Sequence, residues 1–323
     1  MSPTSEKLFN SPRLAALGLL CVAMVWGATF VLTHHVLESY PVFAFLGWRF
    51  LIATISFGLL CAKPLMRSLA NLHRPSLNIA LFAGVFLSLG YIFQTYGLIP
   101  ATQGGTTPAR AAFITGLYVV LVPLSQFLLS KQRPSPGIFF GIIFAMIGLW
   151  FLSGLGSDSG QSYWVWGDTM VVICSVAYTI HMLILGRADE SYSTVLMTFI
   201  QLTIVTLICA SMSVVTHEHA SFPQGFEIWS AIIICGVFAS AFAFAIQTWA
   251  QQVMVPARVA LILVSEPAFG GIFGWFAAGF VLRHELIGST LMLGAMILSE
   301  LWGIEKTTTE PSLEGPIVMI DDQ

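Results

Sequence analysis

Long apolar runs, separated by short polar connections, dominate the hydrophobic pattern of the chain. Ten such runs are bounded by charged residues, proline or glycine, and they cover residues 14–33, 42–62, 77–99, 107–130, 136–154, 165–186, 194–215, 228–251, 256–281 and 286–304. A helix of about 20 residues crosses the roughly 30 Å of hydrocarbon in a bilayer. Continuous runs of this length exclude the alternating strands, of about ten residues each, that build membrane barrels. The pattern therefore predicts an all-α integral membrane protein with ten transmembrane helices.

The composition agrees with a membrane protein. Of the 323 residues, 56% are hydrophobic and 9% are charged, and the mean hydropathy is +0.84. A soluble protein of this size would carry about 25% charged residues. The five cysteines fall within or beside the apolar runs without Cys-x-x-Cys spacing, so neither a disulfide framework nor a zinc site is indicated. We expect the lipid bilayer and a small-molecule substrate as partners, with no cofactor, metal or nucleic acid, and the oligomeric state is left open.

Lysine and arginine are distributed unequally between the two sets of loops. With the loops numbered from the N-terminus, the side opposite the N-terminus receives two basic residues, Arg110 and Arg283. The N-terminal side receives ten, namely Lys7, Arg13, Lys63, Arg67, Arg74, Lys131, Arg133, Arg187, Arg258 and Lys306. Because short cytoplasmic loops are enriched in lysine and arginine, both termini are predicted to be cytoplasmic, in a multi-pass protein of the cytoplasmic (inner) membrane.

Short sequence matches recur in the same order in both halves of the chain. The tripeptide Glu-Ser-Tyr at 38–40 recurs at 190–192, an offset of 152 at which Arg49 corresponds to Gln201. A Gln-Thr-aromatic motif at Gln94 recurs at Gln247, an offset of 153. Each half holds five spans, and an odd number makes the second copy enter the membrane from the opposite side. Two inverted five-helix repeats are predicted, an architecture that recurs in secondary transporters with a substrate site near the midplane.

This organisation divides the chain into five predicted segments. They are a cytoplasmic N-terminal segment 1–13, a first five-helix repeat 14–154, an external linker 155–164, a second five-helix repeat 165–304 and a disordered cytoplasmic tail 305–323. The motif Pro-Ala-Arg begins at Pro108 in the first repeat and at Pro256 in the second. Because proline is tolerated in the first turn of a helix, these prolines are predicted to begin spans four and nine.

Three stretches of the sequence resemble a known family. They are VWGATFV at 25–31, PVFAFLGWRF at 41–50, and the run 247–298 with its Glu-Pro pair, glycine-rich helix and Arg-His-Glu. Together they are similar to bacterial EamA-type permeases of the drug/metabolite transporter superfamily, over about residues 14–304. The resemblance implies ten helices, cytoplasmic termini and the export or uptake of small metabolites. The first half departs from the second at Val122, which stands where the second half has Glu266.

Two charged residues lie inside apolar runs. Arg49 is about eight residues into the second run, where a charge costs roughly 2.5 to 3.5 kcal/mol on insertion scales, so it must face a partner or a cavity. It either anchors a carboxylate or phosphate, or it is a structural arginine bonded to backbone carbonyls or to the other repeat. Glu266 precedes Pro267, which removes a helical hydrogen bond, so span nine is a candidate bent helix. Glu266 and Pro267 are candidates for coupling and gating. The alternative is that Glu266 is a permanent partner of Arg49 or of another polar residue, or is bonded to neighbouring backbone.

Amide and aromatic side chains inside the spans are candidate substrate contacts. Together with Arg49, the candidate substrate-binding residues are Trp26, Tyr91, Gln94, Tyr118, Tyr178, Gln201 and Gln247. Amides bind polar solutes, but they also bond neighbouring helices, and aromatic residues either line apolar cavities or form belts at the membrane interface. Both alternatives stay open for each residue.

The distribution of reactive side chains favours transport over catalysis. The sequence contains no compact catalytic set such as His-Glu-x-x-His, so no enzyme is expected, and it contains no filter-like loop of a channel. We predict a secondary transporter that moves small metabolites across the cytoplasmic membrane by alternating access, with export favoured. A single deep basic residue favours amino acids or related neutral, zwitterionic or lipophilic compounds over multiply charged ones. The alternative is a membrane-embedded enzyme, or a channel without alternating access.

Overall fold

The computed structural model describes residues 11–70, 74–106, 108–130, 135–152, 164–188, 192–218, 222–269 and 283–302. The predicted tail, the first ten residues and most of the predicted linker lie outside this part of the chain. Within it every regular element is helical. The α-helices are α1 (Pro12–Leu37), α2 (Val42–Leu60), α3 (Ala62–Ala70), α4 (Arg74–Gly97), α5 (Pro108–Gly116), α6 (Tyr118–Ser130), α7 (Pro136–Leu152), α8 (Trp166–Leu185), α9 (Thr194–Val215), α10 (Phe226–Gly236), α11 (Ala243–Val253), α12 (Pro256–Leu263) and α13 (Arg283–Trp302). A 3-10 turn spans Ala101–Gln103, and a π-helix spans Val237–Phe242 between α10 and α11.

Seven helical segments of the described chain are long and apolar enough to cross a membrane. They are Pro12–Leu37, Val42–Leu60, Ser76–Gly97, Ala111–Leu129, Trp166–Leu185, Thr194–Val215 and Phe226–Val253. Pro136–Phe151 is a shorter apolar helix. The predicted ninth run continues into residues 270–282, outside the described ranges, so the count of ten spans stays a prediction. The chain is an all-helical, multi-pass membrane protein.

Prolines and hydroxyl caps define where several helices begin. Pro108 begins α5 and Pro256 begins α12, as the sequence predicts. At the start of α9, Ser193 Oγ accepts the backbone N–H of Leu196 at 3.3 Å. The same hydroxyl shares a 2.7 Å hydrogen bond with Ser68 of α3. The segment after α2 is therefore tied to the start of α9.

The start of α2 is capped by a side chain that is distant in sequence. Pro41, the residue before the helix, makes no side-chain hydrogen bond. Instead, Glu218 Oε2 accepts the backbone N–H groups of Phe43 at 2.7 Å and Ala44 at 3.1 Å. Burial, together with the nearby Glu218 carboxylate, raises the pKa of Tyr40 to about 12. A carboxylate at a helix N-terminus is favourable, so the segment after α9 is tied to the start of α2.

Helices α2 and α9 pack against each other as an antiparallel pair. A methyl carbon on Gly47 would lie 3.7 Å from Cα of Ala210, and one on Gly58 would lie 3.0 Å from the ring of Phe199. At the offset of 152, Gly47 corresponds to Phe199 and Gly58 corresponds to Ala210. Replacing each residue by its equivalent in the other half therefore converts one contact into the other. Contacts across an isologous interface are related in the same way.

Other helix contacts follow the same exchange of halves. Thr54 and Thr206, which are 152 residues apart, share a 3.0 Å hydrogen bond between α2 and α9. Helix α4 packs on α8 and α9, while α10 and α11, with the π-helix between them, pack on α1 and α2. Helices α5 and α6 contact α8, α12 contacts α1, and α7 packs on α13. The contacts of the first-half helices thus correspond to those of the second-half helices, and the threonine pair joins equivalent residues.

Candidate functional site

A cavity lies between the helices of the two halves. It contains about 690 Å³ of empty space, including space open to solvent. Its walls come from α1, α2, α4, α5, α6, α8 and α11 and from the turn after α12. Eight of the predicted site residues line it, namely Trp26, Arg49, Tyr91, Gln94, Tyr118, Tyr178, Gln247 and Glu266. The structure therefore brings together side chains that are up to 240 positions apart in sequence.

The cavity is displaced toward one end of the bundle. Thr33 and Leu98, near the C-terminal ends of α1 and α4, line one end of it. A buried apolar layer that includes Leu19, Val122 and Val259 packs at the other end. Leu19 precedes the cavity residues of α1, so this layer lies toward the side of the N-terminus. The described conformation has its cavity on the opposite side.

Arg49 lies in the cavity wall with 5% of its surface exposed. Its Nε donates to Ser240 Oγ at 3.0 Å, and a terminal nitrogen donates to the Tyr91 hydroxyl at 3.2 Å. The guanidinium carbon also lies 4.7 Å from the centre of the Tyr91 ring and 5.4 Å from that of Phe50. These partners are neutral. Three of the five guanidinium N–H groups have no hydrogen-bond partner among the described residues.

Glu266 follows a break in the ninth predicted span. Helix α12 ends at Leu263, Val264 and Ser265 form a turn, and helix resumes at Glu266. The carboxyl lines the cavity and makes no hydrogen bond or ion pair with any described residue. The pair with Arg49 that the sequence left open is therefore not formed in this conformation. One basic and one acidic side chain thus line the same cavity without a direct hydrogen bond or ion pair between them.

The fourth predicted span breaks at the position equivalent to that of the ninth. Leu117 separates α5 from α6. At the 148-residue offset of the Pro-Ala-Arg motifs, Tyr118 corresponds to Glu266, and the positions of the two breaks therefore correct the pairing of Val122 with Glu266. Both residues line the cavity directly after their breaks. A smaller cavity, with about 220 Å³ of empty space, lies between these segments and is lined by Tyr118, Glu266 and Pro267. Interrupted helices at corresponding positions of two repeats indicate a transporter binding site.

Gln94 and Gln247 face the cavity from equivalent positions on α4 and α11. The Tyr178 hydroxyl donates to Gln94 Oε1 at 3.4 Å, and Gln94 Nε2 donates to Thr115 Oγ1 at 3.5 Å. Gln247 Nε2 donates to Gln251 Oε1 at 3.3 Å, and its buried Oε1 accepts no hydrogen bond from a described residue. All three bonds are long, so both amides retain hydrogen-bonding capacity for a polar solute.

Gln201 does not line the cavity. Its side chain is fully buried behind the wall, where His181 Nε2 donates to its Oε1 at 2.9 Å. The Gln201 amide nitrogen donates to the Met197 carbonyl at 3.1 Å and to Thr248 Oγ1 at 3.2 Å. His181 itself does line the cavity. Gln201 thus supports a wall residue, and its direct contact with substrate stays a prediction.

Several cavity residues were not predicted from the sequence. Thr29, Thr33 and Thr95 line the cavity from α1 and α4. Thr29 and Thr33 follow Trp26 by three and seven positions, which places all three on one helix face, so helical spacing alone could have found them. Phe244 also lines the cavity, and its position on α11 is the repeat equivalent of Tyr91.

The cavity contains the groups needed to hold a small solute that carries both charges. Arg49 supplies free N–H donors, Glu266 supplies a free carboxyl, and aromatic rings and amides lie between them. Within the described ranges, no group of three or more His, Cys, Asp or Glu side chains is placed to hold a metal ion. The arrangement suits reversible binding of an organic solute.

Comparisons with known proteins identify the family and the fold of the chain. The family model of EamA-like transporters matches the chain twice, over residues 13–154 and 165–301. An uncharacterized transporter of Archaeoglobus fulgidus is 30% identical over 292 residues, which cover 89% of this chain and 86% of that protein. The uncharacterized inner membrane transporter YedA of Escherichia coli K12 is 28% identical over 162 residues, which cover 50% of this chain and 49% of that protein. A crystal structure with 18% sequence identity shares the fold, with a TM-score of 0.70 over 90% of this chain and 98% of that chain. The chain therefore belongs to the EamA-like transporter family and is a multi-pass membrane transporter.

Proposed function

We propose that this protein is a secondary transporter of small zwitterionic metabolites, such as amino acids, and that it works by alternating access. The observation that carries the proposal is the presence of a basic side chain, Arg49, and an acidic side chain, Glu266, in one cavity without a direct bond between them. A fixed charge inside a membrane protein is costly and normally has a partner. Here the missing partners are supplied by a solute that has one anionic and one cationic group.

The chemistry of the two side chains defines what each end of the solute must be. The planar guanidinium of Arg49 presents paired donors that match the geometry of a carboxylate. The carboxyl of Glu266 accepts hydrogen bonds from an ammonium group. Between them, Tyr91, Tyr178 and Phe244 offer an apolar surface for the rest of the solute. A multiply anionic solute would lack enough cationic partners, because Arg49 is the one arginine or lysine among the described residues that line the cavity.

The two-fold exchange of helix contacts supports an inverted repeat. Antiparallel α2 and α9 are related by the 152-residue offset, and the hydrogen bond between Thr54 and Thr206 joins equivalent residues. A two-fold axis perpendicular to an antiparallel pair of spans lies in the membrane plane. In such an architecture the two halves can exchange packing arrangements, which opens a central site to one side and then to the other.

The broken spans offer the moving parts for alternating access. Tyr118 and Glu266 follow the two breaks and face each other across the smaller cavity. Glu266 lines both cavities, so movement of either broken span changes which space its carboxyl faces. Glu266, with Pro267 after it, is therefore proposed as the coupling and gating element.

The location of the protein and its direction of transport extend the same proposal. The related Escherichia coli protein is named an inner membrane transporter, and the excess of basic residues on the N-terminal side supports cytoplasmic termini. The described cavity then faces away from the cytoplasm, as expected for a carrier at its release step. We favour export, which a comparison of intracellular and extracellular metabolites with and without the gene tests. Accumulation of a metabolite inside cells that lack the gene supports export, and depletion contradicts it.

Solute counterflow in proteoliposomes tests the substrate class. Full-length protein is reconstituted with each of the tritiated L-amino acids, and saturable exchange is measured. For an amino acid that exchanges, its decarboxylated amine and its deaminated acid are then compared as competing solutes. Arg49→Gln is expected to weaken binding of the amino acid by about 10- to 150-fold and to leave the amine unchanged, since a hydrogen bond to a charged group contributes roughly 1.5–3 kcal/mol.

Glu266→Gln is expected to show the converse pattern, with weaker binding of the amino acid and unchanged binding of the deaminated acid. Arg187→Gln and Glu227→Gln are matched controls, because both residues are exposed and remote from the cavity lining. Neither control should change exchange. Absence of saturable exchange for every amino acid would contradict the proposal, as would equal effects of Arg49→Gln on the amino acid and its amine.

A further inference from the structure

A π-helix interrupts the long helical segment Phe226–Val253 beside the cavity. It spans Val237–Phe242, between α10 and α11. A π-turn uses hydrogen bonds from residue i to i+5 and accommodates one residue more than an α-turn, at a cost in stability that restricts it mostly to functional sites. In the first half, the equivalent part of α4 is regular α-helix.

The repeat shows that this π-turn contains a one-residue insertion. A methyl carbon on Gly84 would lie 3.2 Å from Cα of Gln201, and one on Gly236 would lie 2.7 Å from the carbonyl oxygen of Arg49. Gly84 and Gly236 are 152 residues apart, and so are their partners Arg49 and Gln201, so the two contacts are repeat equivalents. Eleven residues after Gly236, Gln247 corresponds to Gln94 with an offset of 153. The extra residue therefore falls between Gly236 and Gln247, where the π-turn lies.

Two neighbouring residues of the π-turn bind the side chains of two cavity residues. Trp26 Nε1 donates to the carbonyl oxygen of Ala239 at 2.8 Å, and Arg49 Nε donates to Ser240 Oγ at 3.0 Å. Trp26 lies on α1 and Arg49 on α2, so the π-turn is bonded to two helices of the cavity wall. An α-helical carbonyl would be engaged in its own helix, whereas a π-turn changes which backbone groups are available.

Ser88 is the first-half equivalent of Ser240 at the offset of 152, and it behaves differently. Its hydroxyl donates to the Gly84 carbonyl of its own helix at 2.7 Å, and it is fully buried. Ser240 is equally buried, but its hydroxyl accepts from Arg49. The same residue type thus has a local role in the regular helix and an inter-helix role in the π-turn.

We propose that Ser240, held in register by the π-turn, is a positioning residue that orients the guanidinium of Arg49 toward the carboxylate of the transported solute. The proposal rests on the proposed function of the cavity. Ser240 holds the Nε–H and Tyr91 holds one terminal N–H, so the plane of the guanidinium is defined from two sides. The three remaining N–H groups have no partner among the described residues, so a guanidinium already held in place can bind a solute in the cavity without being ordered first.

Counterflow measurements on Ser240→Ala and Ser240→Thr test this role. The readout is the ratio of KM for a transported amino acid to KM for its decarboxylated amine, with the maximal rate measured separately. Ser240→Ala is expected to raise the ratio by about 5- to 10-fold with little change in maximal rate, since one hydrogen bond to a charged group is lost. Ser240→Thr keeps the hydroxyl and is expected to restore the wild-type ratio.

Ser88→Ala is the matched control, because it removes an equivalent buried hydroxyl that does not contact Arg49. It should leave the ratio unchanged, and thermal unfolding in detergent shows whether each variant is folded. A folded Ser240→Ala variant with the wild-type ratio overturns the positioning role, as does an equal change in Ser88→Ala. Failure of the wild-type protein to exchange any amino acid would instead reject the proposed function, so the two failures are distinguishable.

Discussion

Replacing Gly236 by alanine tests the close approach of α2 to the start of the π-turn. The added methyl carbon would lie 2.7 Å from the carbonyl oxygen of Arg49 and 3.2 Å from Cγ2 of Ile52. A carbon and a carbonyl oxygen in contact are normally separated by about 3.3 Å or more, so the two helices must move apart by roughly half an ångström. The obstacle includes backbone, which cannot rotate away as the end of a flexible side chain can.

The expected energy follows from two opposing effects. Adding a methyl group to a well-packed contact costs about 1–3 kcal/mol. Alanine is favoured over glycine inside a helix by about 1 kcal/mol, which offsets part of that cost. The net loss of stability is therefore about 1 kcal/mol, which corresponds to a fall in the apparent melting temperature of about 2–4 °C.

Thermal unfolding in detergent measures this effect, with Gly294→Ala as the matched control. No described atom lies within 4 Å of a methyl carbon on Gly294, so this substitution should raise the melting temperature. Gly84→Ala should lower it, because the methyl carbon would lie 2.9 Å from Cβ of Ile204 at the repeat-equivalent contact. If Gly236→Ala were as stabilising as Gly294→Ala, the close approach of α2 and the register of the π-turn would be wrong.

Two further substitutions test contacts between the halves. Glu218→Ala removes the acceptor for the N–H groups of Phe43 and Ala44 and should lower the free energy of unfolding by about 1 kcal/mol. Glu218→Gln should have a smaller effect, and an unchanged melting temperature in both variants would exclude the cap. For Thr54→Val and Thr206→Val, a double-mutant cycle should give a coupling energy of about 1 kcal/mol, whereas additive effects would argue against the hydrogen bond between the two threonines.

The helical membrane class and many helix ends follow from local sequence. Apolar runs of about 20 residues need a span, because backbone amides in lipid are satisfied inside a helix. Pro108 and Pro256 begin helices because proline suits the first turn, where its missing N–H costs nothing. The deep positions of Arg49 and Glu266 identified candidate cavity residues, since a charge inside a span requires a partner or a solvated space.

The different locations of the Arg49 and Gln201 side chains could not be predicted by comparing the two halves of the sequence. They are repeat equivalents, yet Arg49 lines the cavity and Gln201 is buried behind it. The reason lies in a neighbouring element: His181 of α8 donates to the Gln201 amide, whereas Thr29, the repeat equivalent of His181, donates to carbonyls of its own helix. The guanidinium, which lacks such a partner, reaches Ser240 and Tyr91 instead.

Local sequence thus decided that this chain is a helical membrane protein with a repeated organisation and two charges inside its spans. The tertiary structure alone decided that these charges face one cavity without pairing, and that a π-turn places Ser240 against Arg49. Hydrophobicity and helix propensity act over a few turns and can be read along the chain. The register between helices depends on close contacts such as that of Gly236 with α2, nearly 190 positions away, and a one-residue insertion there changes which side chains meet.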